Sequence, residues 1–302
     1  MNRIAFHSHV FPVALVTGAS SGIGLALTKH LLSKQWHVAM ADVNPPKEDL
    51  PNTIFLKTDV SSWEQNATTF QKAFEWHSRL DFVALNAGID DRDDIFNSIS
   101  SDSTKPPRQP NMKTLEVNLF GPYYGLKLAA HYMTLNTPSA GGKVVITASS
   151  AGLYALPTVP QYTAAKHALV GLTRSLAPLA AQVGITVNAI CPALVRTGLA
   201  PPGLMDNFSE EMVTPMSTIT RAFDELGDLD RVREEGWRKG GPNGQIVECA
   251  LGNLYYRDEI EKADASQEHM AVGAADAWAK AYTERNKNFA MQDWMSGNGD
   301  GK

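Results

Sequence analysis

Short apolar runs alternating with helical stretches constrain this chain more than any other feature. The runs are Val13-Ala14-Leu15-Val16, 37–42, Ile54-Phe55-Leu56, 80–85, Val144-Val145-Ile146, 185–191 and 244–251. Each has strand length and is mainly apolar, as strands covered on both faces are. Between them lie stretches such as Trp63, Ala67, Phe70 and Phe74, whose spacing puts them on one helical face. Strand and helix alternate with short connections. That predicts an α/β fold with a doubly wound parallel sheet.

The chain has 302 residues, 43% hydrophobic and 20% charged, which suits a folded protein with a sizeable core. A net charge of -5 argues against nucleic acid as partner. Cys191 and Cys249 lie in apolar runs without metal-ligand spacing, so both read as reduced core residues and no metal site is expected. His7-Ser8-His9 belongs to a lead-in, residues 1–12, that reads as a frayed tail. The N-terminus lacks a continuous apolar segment, and no apolar run approaches membrane-spanning length. A cytosolic protein with no membrane partner is expected.

The first run enters Thr17-Gly18-Ala19-Ser20-Ser21-Gly22-Ile23-Gly24 and a helical pattern follows. A glycine-rich turn between strand and helix leaves N–H groups and a helix N-terminus free for a pyrophosphate. The spacing, G-x-x-x-G-x-G, differs from the commoner G-x-G-x-x-G fingerprint, and on its own it also suits a plain tight turn. The second run ends at Asp42, 24 residues after Gly18, where an acid can accept hydrogen bonds from a ribose diol. Asp59-Val60 closes the third run and Asn86-Ala87-Gly88 the fourth.

Residues 89–113 are polar, acid-rich around Asp90 to Asp94, and contain three prolines, which predicts an exposed loop near the site mouth. A helix is predicted over 112–134 with Asn118 on it; a buried asparagine must be hydrogen-bonded. It can hold a structural water or one that relays protons. Pro178 should bend or interrupt the helix that begins at Tyr162. Residues 198–240, with Met205, Phe208, Met212 and Met216, read as a substrate lid or as a surface loop with its own apolar cluster. Residues 13–251 then form one catalytic domain. Residues 252–302 form a helical extension, with Ala271, Ala274, Ala275, Trp278 and Tyr282 on an amphipathic helix and a disordered end from Ser296.

The chemistry concentrates in SSAGLYALPTVPQYTAAK, from Ser149 to Lys166. Ser149 ends the fifth run. Tyr162 and Lys166, four apart on a helix, share one face beside that hydroxyl. A free phenol titrates near about 10, too high for base chemistry at neutral pH. An ammonium about 4 Å away favours the phenolate by roughly 4 kcal/mol at an effective dielectric of about 20, before desolvation opposes it. Tyr-x-x-x-Lys alone is commonplace on helix surfaces. Its position after a strand-end serine, downstream of the glycine turn, gives it meaning.

In this order and spacing, Thr17–Gly24, Asp59, Asn86–Gly88, Asn118, Ser149, Tyr162–Lys166 and Pro192 to Thr197 resemble the short-chain dehydrogenase/reductase family, over about Val13 to Leu251. The resemblance implies a single Rossmann-like domain with seven parallel strands. It implies a nicotinamide cofactor and a catalytic tetrad of Asn118, Ser149, Tyr162 and Lys166. Gly18, Ser20, Ser21, Gly22, Ile23, Gly24, Asp42, Asp59, Val60, Asn86, Ala87, Gly88, Tyr162, Lys166, Pro192, Val195 and Thr197 are then the cofactor-binding candidates. Asp42, the length and the GQIVE strand look like the branch related to 15-hydroxyprostaglandin dehydrogenase, and with Asp42 NAD is expected over NADP. Ala193 departs from the family's usual glycine after the proline. Leu153, Tyr154, Leu156, Val159 and Met205 would line the substrate side and favour an apolar or aromatic secondary alcohol or ketone. Apolar residues on more than one face of the helix from Tyr162 predict a homo-dimer or homo-tetramer. Two alternatives stay open: an NADPH-dependent ketoreductase of a biosynthetic pathway, or a non-catalytic dinucleotide-binding regulatory protein. A methyl transferase on a Rossmann-like fold needs no such serine, tyrosine and lysine.

Overall fold

The computed structural model describes residues 11–96, 104–230 and 240–295. They fall into two units, Met1–Arg257 and Asp258–Lys302. The first unit is built on one sheet. Its strands are β1 (Val13–Thr17), β2 (His37–Asp42), β3 (Thr53–Lys57), β4 (Phe82–Leu85), β5 (Gly142–Thr147), β6 (Ile185–Pro192), β7 (Ile246–Ala250) and β8 (Asn253–Tyr256). They lie in the order β3-β2-β1-β4-β5-β6-β7-β8. The first seven run parallel, as expected. β8 is an added antiparallel edge strand. It falls where a helical extension was expected: Leu251 adopts φ 51° and the chain doubles back at once, so Ala250 pairs with Asn253.

Helices cover both faces. On one, Phe70 of α2 (Trp63–His77), Leu126 of α4 (Gly121–Met133) and Leu169 of α5 (Pro160–Gln182) pack with Leu15, Val83, Ile146 and Val187. On the other, Leu27 and Leu31 of α1 (Gly22–Ser33) and Ile219, Phe223 and Leu226 of α6 (Met216–Gly227) pack with Val16, Met40, Val145 and Val247. Trp36, Phe82 and Phe223 meet edge to face inside this second layer. Within 198–240, where a substrate lid or a surface loop was expected, α6 is a core helix. Ile219, Phe223 and Leu226 recur at the spacing of one helical stripe and belong to the core. The sheet needs a helix on this face between β6 and β7.

The helix expected over 112–134 is interrupted. A single turn, α3 (Lys113–Leu115), is followed by a π-helical turn over Glu116–Phe120 and then by α4. Pro122 has no N–H to offer the carbonyl of Asn118 four residues earlier, so the ordinary ladder cannot close there. The Gly121 N–H reaches back five residues, to the Glu116 carbonyl. Pro178, by contrast, does not interrupt α5. It is exposed, so the carbonyl that loses its donor can be hydrated.

In the second unit α7 (Ala265–Glu268) leads through a π-helical turn at His269–Gly273 into α8 (Ala275–Met295). Ala271 and Ala274 precede α8, while Trp278 and Tyr282 lie on it, half exposed. His7-Ser8-His9, the charged stretch 231–239 and the tail from Ser296 lie outside the described residues.

A histidine pair at the N-terminal edge of the sheet is expected to make stability depend on pH. The rings of His37 and His77 stack 4.2 Å apart, 8° from parallel. His37 Nδ1 is buried with no hydrogen-bond partner among the described residues. Burial first and each one's cationic neighbour second, His77 for His37 and Arg79 for His77, hold both imidazoles below their usual 6.5. A depressed folded pKa leaves stability intact above the unfolded value, and it is lost as pH falls through the folded one. The melting temperature is therefore expected to fall between about pH 7 and pH 5, before most carboxylates titrate. His77→Gln should flatten that decline. An unchanged slope in the variant would show that the pair does not set it.

Candidate active site

Strand order reverses between β1 and β4, and in doubly wound sheets ligands bind in the crevice beyond the carboxyl ends at such a point. The glycine turn leaves β1 here. Gly18 has φ 66°, and a side chain on it would bring Cβ within 2.9 Å of Ala87 Cα. At Gly24 a Cβ would stand 2.1 Å from the Gly18 carbonyl oxygen, and only glycine lets α1 start this close to the turn. Gly22, at φ 51°, faces Thr197, where a Cβ would lie 3.3 Å from the threonine Cβ. Ser21 occupies the N-cap position of α1 without a side-chain bond to it, and Ile23 packs inward. The turn is a cradle that any side chain would fill, bordered by an uncapped helix N-terminus, and it fits a dinucleotide's pyrophosphate.

Asp42 stands at the end of β2 beside this turn. Its Oδ2 accepts from the Ser20 N–H at 3.0 Å and its Oδ1 from the Asn44 N–H at 3.0 Å. The Ser20 hydroxyl donates to the Asn44 carbonyl at 2.7 Å, which ties the turn to the segment after β2. Asp59 is held differently. Burial disfavours its charge, but the Ser61 hydroxyl and N–H and the Lys113 ammonium outweigh this and keep it below the usual carboxylate range. Val60 beside it is buried against Gly121.

Asn86 braces three strands. Its N–H donates to Thr17 Oγ1 at 2.9 Å, its Nδ2 to the Thr17 carbonyl at 3.1 Å, and its Oδ1 accepts from Thr147 Oγ1 at 3.1 Å. Ala87 N–H shares the Thr17 hydroxyl. Gly88 then passes so close to Asn118 and Lys166 that a Cβ there would be 3.3 Å from Asn118 Oδ1 and 3.8 Å from Lys166 Nζ. Pro192 ends β6 in the core, and Val195 packs against the α1 and α6 layer.

The four tetrad candidates converge here. Asn118, on the π-helical turn, is fully buried. Its Oδ1 accepts from Ile89 N–H and its Nδ2 donates to the Ile89 carbonyl, both at 2.8 Å. The side chain is thus spent on the loop after β4, and Pro122 supplies no N–H to the Asn118 backbone carbonyl. Ser149 Oγ accepts from the Ala151 N–H at 3.1 Å, which leaves the hydroxyl proton for another partner. The Ser149 hydroxyl acts on the Tyr162 phenol in favour of the phenolate. Lys166 is 3% exposed; it donates to the Thr147 carbonyl at 2.7 Å and stands 5.3 Å from the Tyr162 ring centroid.

The electrostatics correct one expectation. Burial dominates at Tyr162 and, with Asp90 and Cys191, outweighs Ser149, so its pKa lies above rather than below 10. Lys166 does not offset this: its ammonium is drawn to Thr147, and burial lowers its own pKa to about 8. Cys191, behind the serine and lysine, is pushed up to about 12 by burial and is an inert thiol at neutral pH.

Among the substrate candidates, Leu153 packs against the sheet core rather than standing free. Tyr154 is half exposed, its hydroxyl donating to Glu248 Oε2 at 3.0 Å and accepting from Arg257 at 3.2 Å. Val159 occupies the N-cap position of α5, and Met205 is buried in a short 3-10 turn.

A doubly wound sheet with a glycine cradle at its crevice, and a serine, tyrosine and lysine converging beside it, defines a nicotinamide-dependent oxidoreductase. Residues 12–204 match the short chain dehydrogenase family. The chain is 32% identical over 284 residues to short-chain dehydrogenase/reductase prx6 of Penicillium rubens, covering 88% of this chain and 91% of that one. It is 34% identical over 201 residues to human 15-hydroxyprostaglandin dehydrogenase [NAD(+)], covering 62% and 69%. In fold it is similar to 3-ketoacyl-(acyl-carrier-protein) reductase from Brucella melitensis complexed with NADH, with a TM-score of 0.65 at 18% identity over 80% of this chain and 97% of that one. It is equally similar to ElxO with NADP bound, with a TM-score of 0.65 at 24% identity over 80% and 98%. The chain belongs to the short-chain dehydrogenase/reductase family and is an NAD(P)-dependent oxidoreductase.

Proposed function

We propose that this protein interconverts an apolar or aromatic secondary alcohol and its ketone, with NAD as the preferred cofactor. The Tyr162 ring lying 5.3 Å from the Lys166 ammonium, which the Thr147 carbonyl holds beside the sheet's crevice, carries this reading. The glycine turn from Gly18 to Gly24 would hold the pyrophosphate, Asp42 the adenosine ribose, and Lys166 the nicotinamide ribose. When bound, the nicotinamide accepts or supplies the hydride. Tyr162 takes the alcohol proton in oxidation and returns it in reduction. Ser149 donates its hydrogen bond to the substrate oxygen and stabilises the charge that develops there. Lys166, held by the Thr147 carbonyl, would act through the ribose rather than on the phenol, and a water on the Asn118 carbonyl would carry the proton onward. Leu156, Leu199, Leu204 and Met212 expose apolar side chains on the segments that follow β5 and β6, which supports an apolar substrate.

Secondary alcohols and ketones, 1-phenylethanol and acetophenone among them, should be assayed with both cofactors by reduced-nicotinamide absorbance. Turnover of aromatic or branched members with NAD is expected. Tight dinucleotide binding without turnover of any member would favour a regulatory role instead.

Phe120 and Tyr123 by α4 and Leu179 on α5 are exposed, which supports a homo-oligomer through these helices. Light scattering at micromolar concentration should give a dimer or larger; a monomer would refute it.

A further inference from the structure

The loop after β4, rich in acids, is stitched to the start of α5. The Asp91 carboxylate spans that helix's first turn: Oδ2 accepts from Gln161 N–H at 3.0 Å and Oδ1 from Tyr162 N–H at 2.5 Å. These are the N–H groups that an N-cap side chain ordinarily satisfies. Here the N-cap residue is Val159, which has no side-chain acceptor, and Pro160 follows it. The cap is therefore delivered from a point 70 residues earlier in the chain. Further bonds fix the loop in place. Thr114 Oγ1 donates to the Asp90 carbonyl at 3.1 Å and accepts from Arg92 N–H at 3.0 Å. Gln161 Nε2 donates to the Asn111 carbonyl at 3.0 Å.

We propose that Asp91 is a positioning residue for catalysis: by holding the backbone of Gln161 and Tyr162 it fixes the phenol beside Lys166 and the Ser149 strand end. The proposal rests on Tyr162 being the proton-transfer group. The charged and titratable groups around the phenol are Asp90 from the same loop, Lys166 on α5 and Cys191 on β6. Asp91 itself faces Asp90 and the helix N–H groups. Asp91 thus acts on the phenol through the backbone rather than across space. A carboxylate here also complements the positive end of α5, so its loss has a structural cost that must be separated from the catalytic one.

The test is a near-ultraviolet titration of Tyr162 as tyrosinate, each protein being read against its own Tyr162→Phe counterpart. It compares wild type, Asp91→Ala and Asp91→Asn, with kcat on 1-phenylethanol and NADH affinity measured alongside. Asp91→Ala should lower kcat about 10- to 100-fold, the scale of a small misplacement of a reacting group. NADH affinity should hold. The tyrosinate midpoint should move to higher pH, because the Ser149 contact that favours phenolate is lost. Asp91→Asn keeps one acceptor oxygen and should fall between the two. If the alanine variant does not fold, the asparagine variant carries the comparison. A lower melting temperature with kcat and the tyrosinate midpoint unchanged would make Asp91 merely structural and overturn the proposal. Equal shifts to lower pH in both variants would overturn it too, since charge alone would then act. The titration needs no turnover, so failure of 1-phenylethanol as substrate would count against the proposed reaction and leave the placement of Tyr162 separately decided.

Discussion

Tyr162→Phe is expected to lower kcat by about 10²–10⁴-fold, the usual contribution of a general acid–base group. NADH binding, followed by fluorescence, should change little. Only the hydroxyl is removed; the ring that Lys166 faces at 5.3 Å remains, and so does the lysine's bond to the Thr147 carbonyl. The glycine cradle and Asp42 lie on other elements and do not sense the change. The direction of the tyrosine's pKa adds a second expectation. Burial holds it above 10, so alcohol oxidation should still be rising with pH through the neutral range, while ketone reduction should be favoured on the acid side. A variant retaining a tenth or more of wild-type kcat would remove Tyr162 from its assigned role.

Discrimination of about 10- to 10³-fold in favour of NAD over NADP is the second large effect expected, and Asp42 is its source. The carboxylate is fixed by two backbone N–H groups, of Ser20 and Asn44, neither of which neutralises it. Each oxygen keeps a lone pair for one hydroxyl of a ribose diol. A 2′-phosphate would put like charges about 4 Å apart, at a cost of roughly 4 kcal/mol at an effective dielectric of about 20, halved or more by solvent. Asp42→Ala should narrow the preference mainly by weakening NAD. Val43, half exposed, has room for an arginine, and Val43→Arg should begin to reverse the preference. The decisive measurement is kcat/KM for both cofactors on one substrate; a wild-type ratio at or below one refutes the assignment.

Much of this architecture could be read from residues alone because the governing signals are local. The apolar runs that became β1 to β7 owe their burial to both helical layers, and the glycines at 18, 22 and 24 announce a turn without side chains. Ser149, Tyr162 and Lys166 are legible because a strand end and one helical turn fix their mutual placement. Where the reading failed, the cause was distant or masked. Helix α6 carries a clear stripe at Ile219, Phe223 and Leu226, but Met205, Phe208, Met212 and Met216 made the whole segment read as a lid or an apolar surface loop. The π-helical turn follows from Pro122, whose missing donor was not matched with Asn118 four residues earlier. The phenol's raised pKa depends on its partial burial and on Asp90 and Cys191, which distant elements bring to it and no spacing reveals. Asp91's grip on α5 joins positions 70 residues apart, and sequence gave it only as one acid among several.

The antiparallel β8 has a consequence for how this chain keeps to itself. A sheet of seven parallel strands would end on β7 with a row of unpaired backbone groups, and such a rim invites another chain to add to it. Here the next few residues fold back and occupy the rim, with Val247 opposite Tyr256 and Ala250 opposite Asn253. The connection is as short as a hairpin allows, so the rim is covered as soon as β7 forms, without waiting for distant sequence. The parallel strand β7 is thus shielded by the chain's own continuation, and the short, largely exposed β8 becomes the edge that any added strand would have to pair with.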